Sequence, residues 1–560
     1  MPATTFPSLP PEILEVIIRD SHLSLRTLAE FAVSTSMPTI FATMCLSIYL
    51  ERSGINKSEE VCTFRIPQDS TDFDTLSALT LATWVTKTQR LECRFEGRDG
   101  NLTVMLAQLA RLQALLDRFT SLVTVILDFN PQDKPYLDLS DDDMVNWSDA
   151  MGNLLSRVVE RRCTTLEVNG LGQMCDVYHG MLRFPRKPRT PSGQPLSLFD
   201  AAINGVAKLF SDVPPRRAPE RSRFDDTILW GPTWDYRRDE TKSTTQFRDQ
   251  FEKILARLSD TAEANSNLTQ LTIGSKSMLF PPLLQWTYSA LESSPISTLI
   301  IRDVDLVGPT WSLLSILFPQ AIPSLERLEL SRIGIVSRDQ MMGFMAAFSK
   351  LKYLSLSGVN FPWYTTLSGS NSATTAPRVL SPCLEEFRVQ ANWIVPTMDL
   401  GANAFPALRT LTVVFDGGLP TGIEEASPLL PLSQSRKTMR FEVVLEILAS
   451  NDITSWMRRT KALDVAQLPE VFRCVSGLVL VVKARLEFEH EPNKEAVREA
   501  AEKWFGQFPA LREAGIRTEV DNLSVEIPRI QKFCKRALPD VARTLRRFHV
   551  NGQAFGPHEL

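Results

Sequence analysis

Leu325-Glu-Arg-Leu328-Glu-Leu330-Ser-Arg-Ile333-Gly-Ile335 is followed, 26 residues after its first leucine, by Leu351-Lys-Tyr-Leu354-Ser-Leu356-Ser-Gly-Val359-Asn-Phe361. Both stretches are apolar at offsets 0, +3, +5, +8 and +10. The +3 and +5 positions alternate with polar residues. In an extended strand that alternation turns one face to a core and the other to solvent. The +8 and +10 positions then carry the chain across the core edge. A strand that returns at a fixed interval calls for neighbours of its own kind.

Working outward, the same offsets hold from Leu268, Ile296 and Leu384. The units read Leu268, Leu271, Ile273, Lys276, Met278; then Ile296, Leu299, Ile301, Val304, Leu306; then Leu384, Phe387, Val389, Asn392, Ile394. Over five units 23 of 25 positions are apolar, where the 43% hydrophobic composition gives about 11. The anchors are spaced 28, 29, 26 and 33 residues apart, and Leu408, Leu411 and Val413 follow 24 residues on. The intervals and the L-x-x-L-x-L core resemble leucine-rich repeats. The resemblance implies an α/β fold: an irregular solenoid with parallel strands on a concave face and helices on the convex face. The alternative is a set of ordinary buried strands in an α/β domain.

The returns between strands read as helices. Ser337-Arg-Asp-Gln340 has the form of a capping box, with Met341, Met342, Phe344, Met345 and Phe348 on one face behind it. Thr310 reads as a cap for Trp311–Phe318. The repeats depart from the family at +8, where its usual Asn stands only as Asn392, with Asn360 displaced by one. In this they resemble the divergent repeats of fungal F-box proteins. Weaker units fall at Leu122-Val125-Leu127, Leu166-Val168, Leu478-Val481, Leu511-Ile516 and Leu545-Phe548-Val550. Outward side chains lie at +2, +4 and +6 and include Gln270, Arg302, Arg327, Glu329, Tyr353, Glu386 and Arg388. They carry both signs of charge, which suits a protein partner better than a polyanion.

Ahead of this body lies Leu9-Pro10-Pro11-Glu12-Ile13-Leu14, then an apolar run to Phe41. The pattern predicts three short helices. Ser8 reads as the first cap, with Pro10 and Pro11 in the first turn, where a missing N–H costs nothing. Ile13, Leu14, Val16, Ile17 and Ile18 supply an apolar face. Ser24 reads as the second cap, and Pro38 opens the third helix. Residues 8–45 resemble an F-box, the module that joins a substrate receptor to the Skp-type adaptor of a cullin ubiquitin ligase. The resemblance implies that Leu9, Pro10, Ile13, Leu14, Ile17, Leu25, Leu28 and Val33 form the adaptor-binding surface. The family usually has a basic residue and then Trp after its Val; here Thr35 and Met37 hold those places.

The organisation expected is an F-box-like helical module over 1–50, a divergent part of the repeat body over 51–182, a basic Pro-rich insertion over 183–224, and a repeat-like body over 225–560, clearest at 268–418. Thr365–Pro377 and residues 417–436 read as further loops. With 560 residues and a net charge of -4, the chain is too long for one compact core and has no global drive toward nucleic acid or anionic membrane. No signal-peptide layout or membrane-length apolar run is present.

The eight cysteines lack C-x-x-C spacing and read as buried thiols of a reducing compartment, cytoplasmic or nuclear. The five histidines share no metal-ligand spacing, and no phosphate-binding or nucleophile-elbow motif occurs. Asp69, Asp72, Asp74 and Asp141–Asp143 lack the Gly and closing Glu of a calcium loop, so they read as helix starts or turns. No catalytic residue, metal or cofactor is expected. The resemblance implies a substrate-recognition adaptor of an SCF-type ligase; the alternatives are a leucine-rich-repeat scaffold with no ubiquitin role and, with no nucleophile–base signature to support it, a hydrolase or transferase with an unrecognised site.

Overall fold

The computed structural model describes residues 10–34, 37, 39–56, 60–67, 73–96, 102–129, 141–170, 266–279, 283–304, 308–333, 338–359, 381–390, 393, 405–415, 442–449, 475–482, 494–506, 508, 510–518, 546–550 and 553–555. The insertion at 183–224, the loops at 365–377 and 417–436, and Leu9, Thr35, Asp69 and Asp72 lie outside the described residues. The chain divides into two compact units: Met1–Val304 with Gln320–Ile322, and Asp305–Pro319 with Pro323–Leu560. Both are α/β, and each carries a mostly parallel sheet with helices between strands.

The first unit opens with α1 (Pro11–Asp20), α2 (Leu25–Val33) and α3 (Thr39–Arg52). Helix α1 starts at Pro11 with Pro10 at the N-cap position and no side-chain cap, and Ser8 lies outside the described residues. Proline at the first position needs none of the usual donor satisfaction, and its φ is already set. In α2 the expected cap is present: the Ser24 hydroxyl accepts from the Thr27 N–H at 3.1 Å. The sheet follows as β1 (Ile55–Asn56), β2 (Val61–Pro67), α4 (Thr75–Leu81), β3 (Lys87–Glu96), α5 (Leu102–Leu116), β4 (Ser121–Phe129), α6 (Asp141–Glu160), β5 (Thr165–Asn169), β6 (Gln270–Gly274), α7 (Leu283–Ser293) and β7 (Thr298–Arg302). Strands β1 and β2 pair antiparallel, and β2 through β7 run parallel in sequence order.

The inward faces are those that periodicity requires. Leu91, Val125, Leu166, Leu271 and Leu299 are register partners on successive strands and all are buried. Helix α5 seals them with Leu109, Leu112 and Leu116, and α6 does so with Trp147, Met151, Leu154, Leu155 and Val158. Each such side chain contributes roughly 1.5–3 kcal/mol by leaving water. Asp74 caps α4, accepting from the Ser77 N–H at 2.7 Å, and Asp141 begins α6. Both aspartates therefore mark helix starts, as their surroundings suggested.

The second unit contains α8 (Gly308–Ala321), β8 (Arg327–Ser331), α9 (Arg338–Ala346), β9 (Tyr353–Ser357), β10 (Glu386–Gln390), β11 (Thr410–Phe415), β12 (Glu442–Ala449), β13 (Val475–Val482), α10 (Lys494–Phe505), β14 (Glu513–Thr518), β15 (Arg547–Val550) and β16 (Gln553–Phe555). Strands β8 through β15 are parallel neighbours, and β16 folds back antiparallel on β15. Leu328, Leu354, Phe387, Leu411 and Val443 form one buried row. Leu330, Leu356, Val389, Val413 and Leu445 form the next. Ile333 and Val359 at +8 are buried too. Helix α8 starts before Thr310, which sits inside it rather than capping it. Trp311 and Phe318 of α8 pack on Phe344 of α9 with centroids 5.3 and 6.5 Å away.

Cys45, Cys62, Cys93 and Cys163 are buried free thiols, as expected, whereas Cys383 is exposed. Burial pushes the Cys163 thiol up to about 12 and that of Cys45 to about 11. Among the described residues no helix is long and apolar enough to cross a membrane.

Candidate functional site

Two kinds of surface stand out: an apolar face on the helical triplet, and the solvent side of the strands in each unit. Ile18 of α1 and Leu28 and Ala29 of α2 are buried, and α1 and α2 both pack on α3. Arg19 ties α1 to the end of α3 through both oxygens of Glu51, at 3.1 and 2.8 Å. Arg52 donates to the Leu23 carbonyl at 2.6 Å and the Arg19 carbonyl at 3.2 Å, satisfying acceptors at and beyond the end of α1. Phe31 packs on Phe41 with ring centroids 5.7 Å apart.

The outer side of the triplet stays wet. Ile13, Ile17, Leu25 and Val33 are 47%, 49%, 43% and 50% exposed. Pro10 is exposed and Leu14 half-buried. Leu28 is a correction: at 0% exposure it cannot touch a partner, and it serves the packing of α2 on α3. Val16, expected on the apolar face of the first helix but not among the adaptor-binding residues, and Ile40 are 56% and 59% exposed. For Val16 the signal was available, because Ile13, Val16 and Ile17 fall at i, i+3 and i+4 of one helix. Met37 is half-buried.

The strand face of the first unit is polar and already paired. Glu92 is almost buried and accepts from Arg90 at 3.1 Å and from Arg94 at 3.0 and 2.6 Å. Burial would raise its carboxyl, but the two guanidiniums outweigh that and hold it below its ordinary value. Asp128, opposite Arg94 on the next strand, moves the other way: burial, joined by Glu167 and Glu92, lifts it. Glu167 pairs with Arg302 and accepts from Asn169 at 2.7 Å. Arg302 reaches this pair across β6, where a Cβ on Gly274 would lie 2.2 Å from the Asn169 Oδ1. Gln270 is half-buried on the same face.

In the second unit Arg388 closes on Glu446, with Nε at 2.9 Å and Nη2 at 2.7 Å from the two carboxylate oxygens. It also donates to the Ser355 hydroxyl at 3.3 Å. Arg517 approaches Glu446 from the other side at 3.5 Å. Arg327 donates to Glu329 at 2.7 Å and lies over the Tyr353 ring, 3.7 Å from its centroid. Burial, aided by Glu329, raises the Tyr353 hydroxyl. Glu386 is exposed.

The outward direction of the seven residues read as the strand face is correct, since each alternates with a buried neighbour. Arg302, Arg327 and Arg388 spend their guanidiniums on neighbouring side chains, so the charges of this face are largely neutralised in place. Among the described residues no group of three or more His, Cys, Asp or Glu is placed to hold a metal ion.

The fold thus defines an α/β protein with parallel-stranded units and an apolar-faced helical triplet. No protein-family model matches the chain, and no curated protein is significantly similar to it.

Proposed function

We propose that the chain is a non-catalytic substrate-recognition adaptor of an SCF-type (Skp–cullin–F-box) ubiquitin ligase, acting in the cytoplasm or nucleus without a cofactor. The observation that carries this reading is the one-sided burial of the helical triplet. Ile18, Leu28 and Ala29 hold it in place while Ile13, Val16, Ile17, Leu25, Val33 and Ile40 stay exposed. Ile13, Val16 and Ile17 fall at i, i+3 and i+4 of α1 and form one exposed apolar strip, and contiguous apolar surface of this kind is what interaction sites present. The Leu-Pro-x-Glu-Ile-Leu opening gives that face its resemblance to an F-box. The divergent leucine-rich pattern of the body is the second support.

In this reading a protein substrate lies on the strand faces. The exposed Glu386 is its contact, together with Gln270 and Tyr353. The paired Arg302, Arg327, Glu329 and Arg388 set the shape and neutrality of the surface around them. A scaffold without a ubiquitin role is the second reading, favoured by Thr35 and Met37 standing where the family carries a basic residue and Trp.

Capture experiments separate the two. The wild-type chain is expected to retain a purified Skp-type adaptor, and a Pro10→Ala/Leu14→Asp variant to lose it. If the wild type and the variant capture the adaptor equally poorly, the ligase reading fails and the scaffold remains.

A further inference from the structure

We propose that the residue one place after each repeat anchor is a register clasp, taking over at the start of the strand the role that these repeats leave largely unfilled by Asn at its far end. In the first unit the sites are Val123, Thr164, Thr269 and Ser297. The N–H of Thr164 donates to the Val123 carbonyl at 2.9 Å, and its hydroxyl donates to the same oxygen at 3.0 Å. Thr269 repeats this on the Thr164 carbonyl at 2.9 and 3.1 Å. Ser297 repeats it on the Thr269 carbonyl at 3.0 and 3.5 Å.

Each clasp thus adds a hydroxyl to a carbonyl that already accepts from the backbone, in strand-to-strand succession from β4 to β7. The Thr164 carbonyl also takes the Gln270 N–H at 3.0 Å and the Thr269 carbonyl the Thr298 N–H at 3.1 Å, so the donors share its lone pairs. A one-residue slip would move the hydroxyl to the opposite face and lose its bond.

From β8 to β11 the equivalent position carries charge of alternating sign: Glu326, Lys352, Glu385, Arg409. The backbone bonds are unchanged, with the N–H groups of Lys352, Glu385 and Arg409 each 2.8 Å from the preceding carbonyl. The side chains now pair directly, Lys352 with Glu326 at 2.7 Å and Arg409 with Glu385 at 3.3 Å. These pairs are exposed, so salt screens them, whereas it leaves the hydroxyl clasps untouched. One position therefore couples neighbouring repeats by two chemistries. The coupling of the β8–β11 segment therefore responds to ionic strength.

Native-state hydrogen exchange on the full chain tests this. Thr164→Val and Thr269→Val keep shape and N–H but lose the hydroxyl. Each is expected to lower protection of the β5–β6 amides by about threefold, while Thr164→Ser retains it. Glu326→Lys is expected to lower protection in β8 and β9 at low salt, and Glu326→Lys/Lys352→Glu to restore it. Raising salt should erode β8–β11 protection more than that of β5–β7. Unchanged protection in both valine variants, or a swap that restores nothing, overturns the proposal.

Discussion

Replacing Glu446 by Gln removes a charge while keeping shape, and its effect follows from what surrounds it. The Glu446 side chain is 6% exposed and that of Arg388 24%. Breaking a buried pair by neutralising one partner costs about 3–5 kcal/mol, because the remaining charge stays out of water. Arg388 keeps its bond to Ser355 and some solvent contact, which reduces the expected cost to about 2–3 kcal/mol. Replacing both partners by apolar residues, Arg388→Met/Glu446→Leu, leaves no stranded charge and should cost under about 1 kcal/mol.

A double-mutant cycle built on the singles Arg388→Met and Glu446→Leu, each expected to cost about 2–3 kcal/mol, then gives a coupling of at least about 3 kcal/mol between residues 58 positions apart. The assay is urea titration read by hydrogen exchange in peptides covering β10 and β12, so that the second unit is followed by itself. A cost below about 0.5 kcal/mol for Glu446→Gln, or a double variant as unstable as the sum of the singles, would refute the view that this pair is a desolvated structural tie.

Asp74 accepts from the Ser77 N–H and from Arg111 at 3.0 and 2.5 Å. Burial pushes its carboxyl up, but Arg111 and Ser77 outweigh that and depress it. Its contribution is therefore complete above the unfolded value of about 3.9 and lost as pH falls through the lower folded value. Asp74→Ala should cost about 3 kcal/mol at neutral pH, from cap and ion pair together, and flatten the acid limb of a stability–pH curve. Gly170 has φ +81°, and a Cβ there would lie 1.7 Å from the Phe129 carbonyl oxygen. Gly170→Ala should cost over about 2 kcal/mol, measured as a lowered urea midpoint for the first unit.

Strands β6 to β11 were legible because leucines at +3 and +5 mark both the strand and its inward face. Strands β2, β3 and β12 were not singled out. Cys62, Phe64 and Ile66, or Leu91, Cys93 and Phe95, alternate just as well, but without an anchor leucine the alternation is short and common. Helical periodicity found the apolar residues of α1 and α2 but not which side faces the body. Ile18 turns inward beside an exposed Ile17, and Leu28 is sealed where a partner contact was expected. Only tertiary packing decides that division. Likewise Arg388 looked like a free surface charge because its partner lies two strands away at Glu446, a distance no local pattern encodes.

The central claim is that the exposed face of the helical triplet docks a Skp-type adaptor. Ile13→Asp/Ile17→Asp changes two side chains that are 47% and 49% exposed, so the fold should survive, as hydrogen exchange across β2–β5 can verify. Calorimetric titration of the purified adaptor into wild type and variant is the direct measurement. The account predicts saturable binding by the wild type and a loss of at least roughly a hundredfold in the folded variant. Equal affinity for both chains, or no binding by either, would contradict it.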